Sequence, residues 1–189
     1  MKKAFIFLGV SLLVIFQGCK DKSVPQKEEK NNVLIEKGAE IASATFLALS
    51  TKLKGAMKEG GVENALAYCN VNALPITDSL SKVYNVEIRR TSLKYRNTKN
   101  KPSLMEMVVL NEFERMKKDG MTIQPKISEE NGFNIFHAPI IVHDLCLKCH
   151  GMKDEMEDYK SVLKFYPEDL AHSYKIGDLR GMWSIRFLQ

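Results

Sequence analysis

The chain has 189 residues, of which 44% are hydrophobic and 27% are charged, and its formal net charge is +5. This length has room for one domain with its own core plus an extension, because domains cluster near about 100 to 150 residues. The basic bias is weak and aromatic residues are not interleaved with basic ones, which excludes nucleic acid as the expected partner.

The N-terminal residues predict export and membrane anchoring. Lys2 and Lys3 precede the apolar run AFIFLGVSLLVIF, which is shorter than the roughly 20 residues of a transmembrane helix and typical of a signal peptide. The ending FQGC resembles the lipobox of bacterial lipoproteins, so we expect residues 1–18 to be a lipoprotein signal peptide and Cys19 to be acylated. The alternative is a plain cleaved signal peptide with an incidental cysteine. Residues 19–32 are polar and charged, which predicts a lipidated, solvated tether.

This arrangement predicts a membrane-anchored lipoprotein on the periplasmic side of a bacterial cell envelope. Either the inner or the outer membrane is compatible with the residues that follow Cys19. Two or three acyl chains would hold the protein firmly, because each buried CH₂ contributes about 0.8 kcal/mol.

Residues 33–189 predict one α+β domain that starts with long helices. Apolar side chains at helical spacing predict a first helix over residues 33–57, and the glycine pair at residues 60–61 ends it. Residues 63–84 predict a second helix with a break or kink at Pro75, because proline removes a helical hydrogen bond.

The rest of the domain predicts the strands of an antiparallel sheet and one more helix. A β-branched run predicts a strand in residues 86–93, and a capping box predicts a helix over residues 103–119. Residues 133–142 predict a strand at a sheet edge, because Pro139 cannot donate to a ladder. The alternating residues 181–187 predict the last strand.

The sequence CLKCH at residues 146–150 is the attachment motif of a c-type haem. Its spacing lets Cys146 and Cys149 add to the two haem vinyl groups, while the imidazole of His150 lies under the iron as an axial ligand. A zinc site would need a second close pair of ligands, which the sequence does not offer, and a Cys146–Cys149 disulfide would leave His150 unexplained. The motif and the export signal together predict one covalently attached haem c.

The residues alone leave the second axial ligand of the iron open. A histidine or methionine would give an ordinary electron carrier, whereas a thiolate donates strongly and lowers the reduction potential. Cys69 is the cysteine that lipid and haem attachment leave unused, and small residues beside it would let a flat cofactor approach. A buried structural cysteine is the alternative for Cys69. The other candidates are no ligand at all, the methionines, and His137, His143 and His172.

Four segments together resemble a known family. They are AYCNVNALPI (67–76), RRTSLKYRNTKNKP (89–102), CLKCHG (146–151) and YPEDLAHSYKIGDLRGMWSI (166–185). The family is the PAS-like, single-haem c-type domain of bacterial lipoproteins and of the input modules of membrane-bound sensor kinases, long catalogued as a domain of unknown function. The resemblance covers nearly everything from about Val33 to the C-terminus. It implies a PAS-like antiparallel sheet with long N-terminal helices and a covalently attached haem.

The resemblance also implies an answer for the second axial ligand. The family has its ligand cysteine at the position of Cys69, which favours this residue over the histidines. In one departure from the family pattern, Ser173 precedes Tyr174 where the family often has glycine. We therefore expect a slightly altered loop, with His172 kept as a rival ligand.

A basic cluster in the second of these segments is a candidate for binding the haem propionates. A guanidinium can bind a carboxylate through two parallel hydrogen bonds. A strand presents alternate residues to opposite faces, so we expect one or two of these cations, not all, to reach the haem. The alternative is a solvated face or an ion-pair network. The candidates are Arg89, Arg90 and Arg96, together with Lys94, Asn97 and Asn100, and Arg180 is a weaker one.

These features predict a redox or gas sensor in which His150 and Cys69 bind the iron. Ferric iron demands an anionic donor more strongly than ferrous iron, so reduction would release Cys69 and open a site for a small gas ligand. No kinase or other output domain is visible in the sequence, so the signal would pass to a separate redox or signalling protein. An electron-transfer cytochrome is the alternative. An enzyme is not expected, since no acid, base or nucleophile group is visible around CLKCH.

Overall fold

The computed structural model describes residues 23–156 and 159–188. Its four strands form one antiparallel sheet in the order β1-β4-β3-β2, with helices packed on both faces. The predicted α+β class is therefore confirmed. The elements are α1 (Ser23–Tyr84), β1 (Val86–Thr91), a 3₁₀ turn (Thr98–Asn100), α2 (Leu104–Lys118), β2 (Lys126–Glu130), β3 (Phe133–Ile141), α3 (Asp144–His150), α4 (Tyr159–Phe165) and β4 (Leu179–Phe187).

Most of the predicted N-terminal export region lies outside the described residues. The predicted signal peptide, residues 1–18, and the predicted lipidation site Cys19 lie outside the described residues. Helix α1 begins at Ser23, so residues 23–32 of the predicted tether are helical, although residues 27–30 are exposed as expected. Their lysines and glutamates are good helix formers. Among the described helices, none is long and apolar enough to cross a bilayer.

Helix α1 is interrupted where the sequence predicts it. Gly60 and Gly61 have non-helical backbone angles, and Gly61 has a φ of 70°, a left-handed conformation that glycine adopts without strain. The pair divides α1 into a first arm, residues 23–59, and a second arm, residues 62–84.

Of the predicted break or kink at Pro75, the break is wrong, because the second arm continues through this residue to Tyr84. Proline deprives the carbonyl four residues earlier, that of Val71, of its helical donor. Val71 is 68% exposed, so water can satisfy that carbonyl. The helix therefore tolerates the proline.

The two faces of the sheet are covered by different helices. The first arm of α1 packs on one face and α2 on the other. The predicted alternation of β4 is confirmed, since Trp183, Ile185 and Phe187 share the α1 face. The core on the α1 face contains Ile41, Ala42, Val86, Ile88, Phe136, Ala138, Trp183, Ile185 and Phe187, and the core on the α2 face contains Val109, Leu110, Phe113, Leu179 and Met182.

Strand β3 is an inner strand, so the predicted edge position is wrong. It pairs with β4 on one side and β2 on the other. The ladder with β2 ends at the pair Lys126–His137, and Pro139 lies beyond it, opposite Met182 of β4. The β2 side of Pro139 has no ladder to interrupt, and this explains why a proline is tolerated in an inner strand.

Gly38 brings the first arm of α1 directly against the sheet. A Cβ at this position would lie 2.3 Å from Cγ of Phe136, whose side chain is fully buried and cannot move aside. We expect Gly38→Ala to lower the free energy of unfolding by about 1–3 kcal/mol through overpacking. Gly55→Ala is the matched control, because a Cβ there meets nothing within 4 Å. It should stabilise the protein by about 0.5–1 kcal/mol through helix propensity. Urea unfolding measures both, and equal stabilisation by the two substitutions would contradict the close contact.

Candidate functional site

A cavity of about 450 Å³ lies between the α1 face of the sheet and both arms of α1. Its volume is in the usual range for small-molecule and cofactor sites, about 300–1,000 Å³. It brings together Cys69, Cys146, Cys149 and His150, which lie far apart in the sequence. Most of its wall is apolar and includes Phe46, Leu49, Leu53, Met57, Leu74 and Trp183.

The motif CLKCH forms helix α3, and this helix is part of the cavity wall. Residues three and four positions apart lie on the same helix face, so Cys146 shares a face with Cys149 and His150. Gly151 ends the helix and its N–H donates to the carbonyl of Leu147 at 2.9 Å. A Cβ at Gly151 would lie only 2.8 Å from that carbonyl oxygen, which favours glycine directly after the histidine.

The imidazole of His150 is held in one tautomer. Its Nδ1 lies 2.7 Å from the carbonyl oxygen of Ala171. A carbonyl oxygen can only accept, so Nδ1 carries the proton and Nε2 keeps its lone pair. Burial lowers the pKa of His150 well below its usual value, and the nearby cations Arg180 and Arg96 lower it further. The ring is therefore neutral at pH 7 and can donate through Nε2 to a metal.

Cys69 lies on the second arm of α1, a different wall of the cavity from α3. Burial raises the pKa of its thiol above the ordinary value of 9.0, and the charges of Arg90 and Arg96 oppose this shift. The group is therefore a neutral thiol at pH 7. A thiolate at this position needs a further positive charge beside it.

Only some of the alternative iron ligands predicted from the sequence line the cavity. His137 and His172, two of the predicted alternatives, do not line it. His143 does, as the exposed residue at the start of α3. Among the methionines, Met57 lines the cavity. The candidates that face this site together with His150 are therefore Cys69, His143 and Met57.

The neighbouring arginines of β1 lie on opposite faces of the sheet, as the alternation predicts. Arg89 is on the α2 face, where its Nε lies 3.2 Å from Oε1 of Glu106, and it does not line the cavity. The structure therefore does not bring this predicted propionate ligand to the site, and Arg89 forms an ion pair with Glu106 instead. Arg90 lines the cavity, and its guanidinium makes no hydrogen bond or ion pair within the described part of the chain. Burial lowers the pKa of its guanidinium.

Arg180 is the weaker candidate for propionate binding from the sequence, but its position in the structure makes it a stronger one. It lines the cavity, and its Nη1 donates to the carbonyl of Lys94 at 3.1 Å. Its guanidinium lies 5.4 Å from the ring centre of Tyr174, and it forms no ion pair with a described residue. Arg90 and Arg180 thus give an otherwise apolar cavity an uncompensated positive charge, which suits an anionic group of the ligand.

Arg96 also lines the cavity, but other parts of the protein already use most of its donors. Its Nε donates to Oδ1 of Asp169 at 3.0 Å, and its Nη2 donates to the carbonyls of Cys149 and Ala171. Lys94 does not line the cavity, and its Nζ donates to the carbonyl of His172. Asn97 and Asn100 do line it.

The loop with Ser173 contacts the C-terminal end of α3 through two backbone hydrogen bonds. Ser173 has a φ of 60°, a conformation in which glycine is less strained. Its N–H donates to the carbonyl of Gly151 at 2.7 Å, and the N–H of Tyr174 donates to the carbonyl of His150 at 3.0 Å. The departure from glycine thus places a serine at a left-handed backbone angle.

The zinc alternative finds no support in the structure. Within residues 23–156 and 159–188, no three His, Cys, Asp or Glu side chains form a group that could hold a metal ion. A structural zinc site needs four such ligands.

His137, which does not line the cavity, makes the stability of the fold depend on pH. It is 2% exposed, and burial lowers its pKa to about 4. The unfolded chain takes up a proton as the pH falls below about 6.5, whereas the folded protein does not until about pH 4, so folding loses stability across this window. We expect a loss of roughly 2–4 kcal/mol in the free energy of unfolding between pH 6.5 and pH 4. In urea titrations His137→Gln should lose less stability over this range, and an equal loss in the variant would contradict this assignment.

A known protein family and a solved structure are similar to this chain. The Tll0287-like family model matches residues 21–187. No curated protein matches the sequence. Among solved structures, the chain is similar to the crystal structure of the cyanobacterial heme-protein Tll0287, with a TM-score of 0.57 and 23% identity. The alignment covers 78% of this chain and 92% of that chain. At this level of identity the similarity shows the fold alone.

Proposed function

Because this chain belongs to the Tll0287-like family, we propose that it is a lipid-anchored, monohaem c-type protein that senses redox state or a small gas ligand. The observation that carries the proposal is the state of His150. Its Nδ1 is committed to the Ala171 carbonyl, and its Nε2 is a neutral donor on the wall of a large, mostly apolar cavity. The similar crystal structure is that of a heme-protein, which supports the same cofactor.

The residues of the cavity fit a covalently attached haem c. Cys146 and Cys149 would bind its vinyl groups, and His150 and Cys69 would bind the iron. Two uncompensated cations, Arg90 and Arg180, would bind the propionates, whose charge the apolar walls cannot satisfy. In this assignment the domain is PAS-like, with the cofactor between the sheet and a long helix.

A bound haem would supply an iron that can change its charge by one electron and can bind diatomic gases when a coordination position is open. Cys69 links these two properties in our proposal. Burial disfavours its thiolate, so the thiolate persists only beside a strongly positive centre. If a redox partner supplied one electron to the iron, the thiolate would lose that stabilisation and Cys69 could take up a proton from solvent and leave the iron. The apolar side chains of α1 would then surround a position suited to a small neutral ligand.

We further propose that Cys19 carries the lipid and that the domain works on the periplasmic side of a bacterial membrane. Helix α1 begins at Ser23, four residues after Cys19, so the long first arm would start close to the membrane surface. A redox or signalling protein would then receive the signal at the envelope.

An electron-transfer cytochrome is the second candidate, favoured by His143 and Met57 in the same cavity. Met57 as second ligand would give a potential far above that of a thiolate-ligated haem, and an imidazole ligand from His143 would also stabilise oxidised iron less than a thiolate does. Potentiometric titration of the haem-loaded protein separates the two functions. The sensor requires a low midpoint potential together with carbon monoxide binding to the reduced protein alone. A midpoint in the range of His/Met cytochromes would support the carrier and reject thiolate ligation.

A further inference from the structure

We propose that Asp169 and Arg96 form a positioning pair that fixes the imidazole of His150. This inference rests on the proposed function, because it assigns the residues that orient the proposed iron ligand. It also gives Arg96 a different role from that of Arg90 and Arg180, which are left to bind anionic groups.

Arg96 joins helix α3 to the segment that follows α4. Its Nη2 donates both to the carbonyl of Cys149, in the last turn of α3, and to the carbonyl of Ala171 at 3.2 Å. These are the residue before His150 and the residue whose carbonyl accepts from His150. One guanidinium therefore sets the distance between the backbone that carries the imidazole and the acceptor that orients it.

Asp169 completes the arrangement. Its Oδ1 accepts from Nε of Arg96 at 3.0 Å and from the N–H of Ala171 at 3.0 Å. The side chain of Asp169 is 0% exposed and that of Arg96 is 10% exposed, so the pair is shielded from water. The carboxylate thus holds the peptide of Ala171 from its N–H, while the carbonyl of the same residue accepts from Nδ1 of His150 at 2.7 Å.

The consequence for a metal ligand follows from the hydrogen bond at Nδ1. A fixed acceptor there selects the tautomer, limits ring rotation and makes Nε2 a better donor. Loss of such a partner typically weakens metal binding by about 10–100-fold. If Arg96 or Asp169 is replaced, the carbonyl of Ala171 is no longer fixed and its hydrogen bond with Nδ1 of His150 weakens. Nε2 then donates less strongly to the iron. Oxidised iron loses more stabilisation than reduced iron, because it gains more from a strong donor.

The same fold contains a matched control. Arg89 and Glu106 also form an Arg–carboxylate pair, with the Glu106 side chain 8% exposed, but they lie on the α2 face and do not line the cavity. Arg96→Lys and Arg89→Lys both keep the positive charge and both lose the planar fork. A difference between them therefore reports the contacts of Arg96 and not a change in net charge.

The test uses the haem-loaded protein from a bacterial host that attaches c-type haem, with mass spectrometry to establish attachment in every sample. We expect Arg96→Lys to reduce the preference for oxidised iron about tenfold, which raises the midpoint potential by about 59 mV for one electron. The iron–histidine stretching band of the reduced protein should move to lower frequency. Asp169→Asn should move both readouts in the same direction, and the double variant should add little to either single one, because the two residues act together.

Arg89→Lys and Glu106→Gln should leave the potential and the band unchanged, even where they lower stability. The inference is overturned if haem-loaded Arg96→Lys has the wild-type potential and band, or if Arg89→Lys moves them equally. Those results leave the proposed function intact. A wild-type protein without haem would instead reject the proposed function.

Discussion

Replacing both Cys146 and Cys149 by serine is expected to abolish covalent attachment of haem. A serine hydroxyl does not form the thioether bonds that link a c-type haem to its protein. Both sulfurs lie on the cavity wall on one face of α3, and no other described cysteine shares that helix. Denaturing mass spectrometry should find the haem mass on the wild-type chain and not on the variant. Acidified organic solvent should extract any remaining haem.

The matched control for this prediction is Cys69→Ser, which removes the thiol on the second arm of α1. It should keep the covalently attached haem, because Cys69 is not part of the CLKCH motif. Loss of attachment in the Cys69 variant but not in the double variant would reverse our assignment of the cysteines.

Cys69→Ser is also expected to give the largest change in the electronic properties of the site. The variant loses the thiolate that would stabilise oxidised iron, so its midpoint potential should rise by on the order of 0.1 V or more, since axial ligands tune haem potentials over about 0.8 V. The low-spin ferric spectrum should change at the same time. Optical and paramagnetic resonance spectra of the ferric protein measure this directly.

Two conservative variants in the same cavity serve as controls for Cys69. Met57→Leu keeps the volume of the side chain, and His143→Gln keeps a polar group at the exposed start of α3. Neither should change the ferric spectrum. An unchanged spectrum for Cys69→Ser, with a changed one for His143→Gln or Met57→Leu, would transfer the ligand role to that residue.

Local sequence signals predict much of the fold. The glycine pair at residues 60–61 interrupts α1 as expected, because a left-handed φ is a local property of glycine. The predicted helix break at Pro75 and the predicted edge position of Pro139 are wrong for one shared reason. The cost of a proline depends on whether its surroundings need the missing N–H, and neither the exposure of Val71 nor the early end of β2 can be seen in the sequence.

Sequence signals likewise predict some residues of the site and not others. The spacing of the cysteines and the histidine in CLKCH predicts haem attachment from the sequence alone. The alternation of β1 correctly places Arg89 and Arg90 on opposite faces of the sheet. Asp169 and Ala171 were missed as individual residues. Ala171 acts through its backbone carbonyl, which leaves no side-chain signal, and Asp169 acts on an arginine 73 residues away.

Iron K-edge X-ray absorption of the oxidised, haem-loaded protein tests the central claim most directly, because it counts the atoms bound to the metal. Iron between the Nε2 of His150 and the Sγ of Cys69 predicts one sulfur neighbour besides the nitrogen neighbours, and this sulfur should disappear in Cys69→Ser. A first shell of nitrogen alone in the wild-type protein, or a sulfur that survives the substitution, would contradict the account.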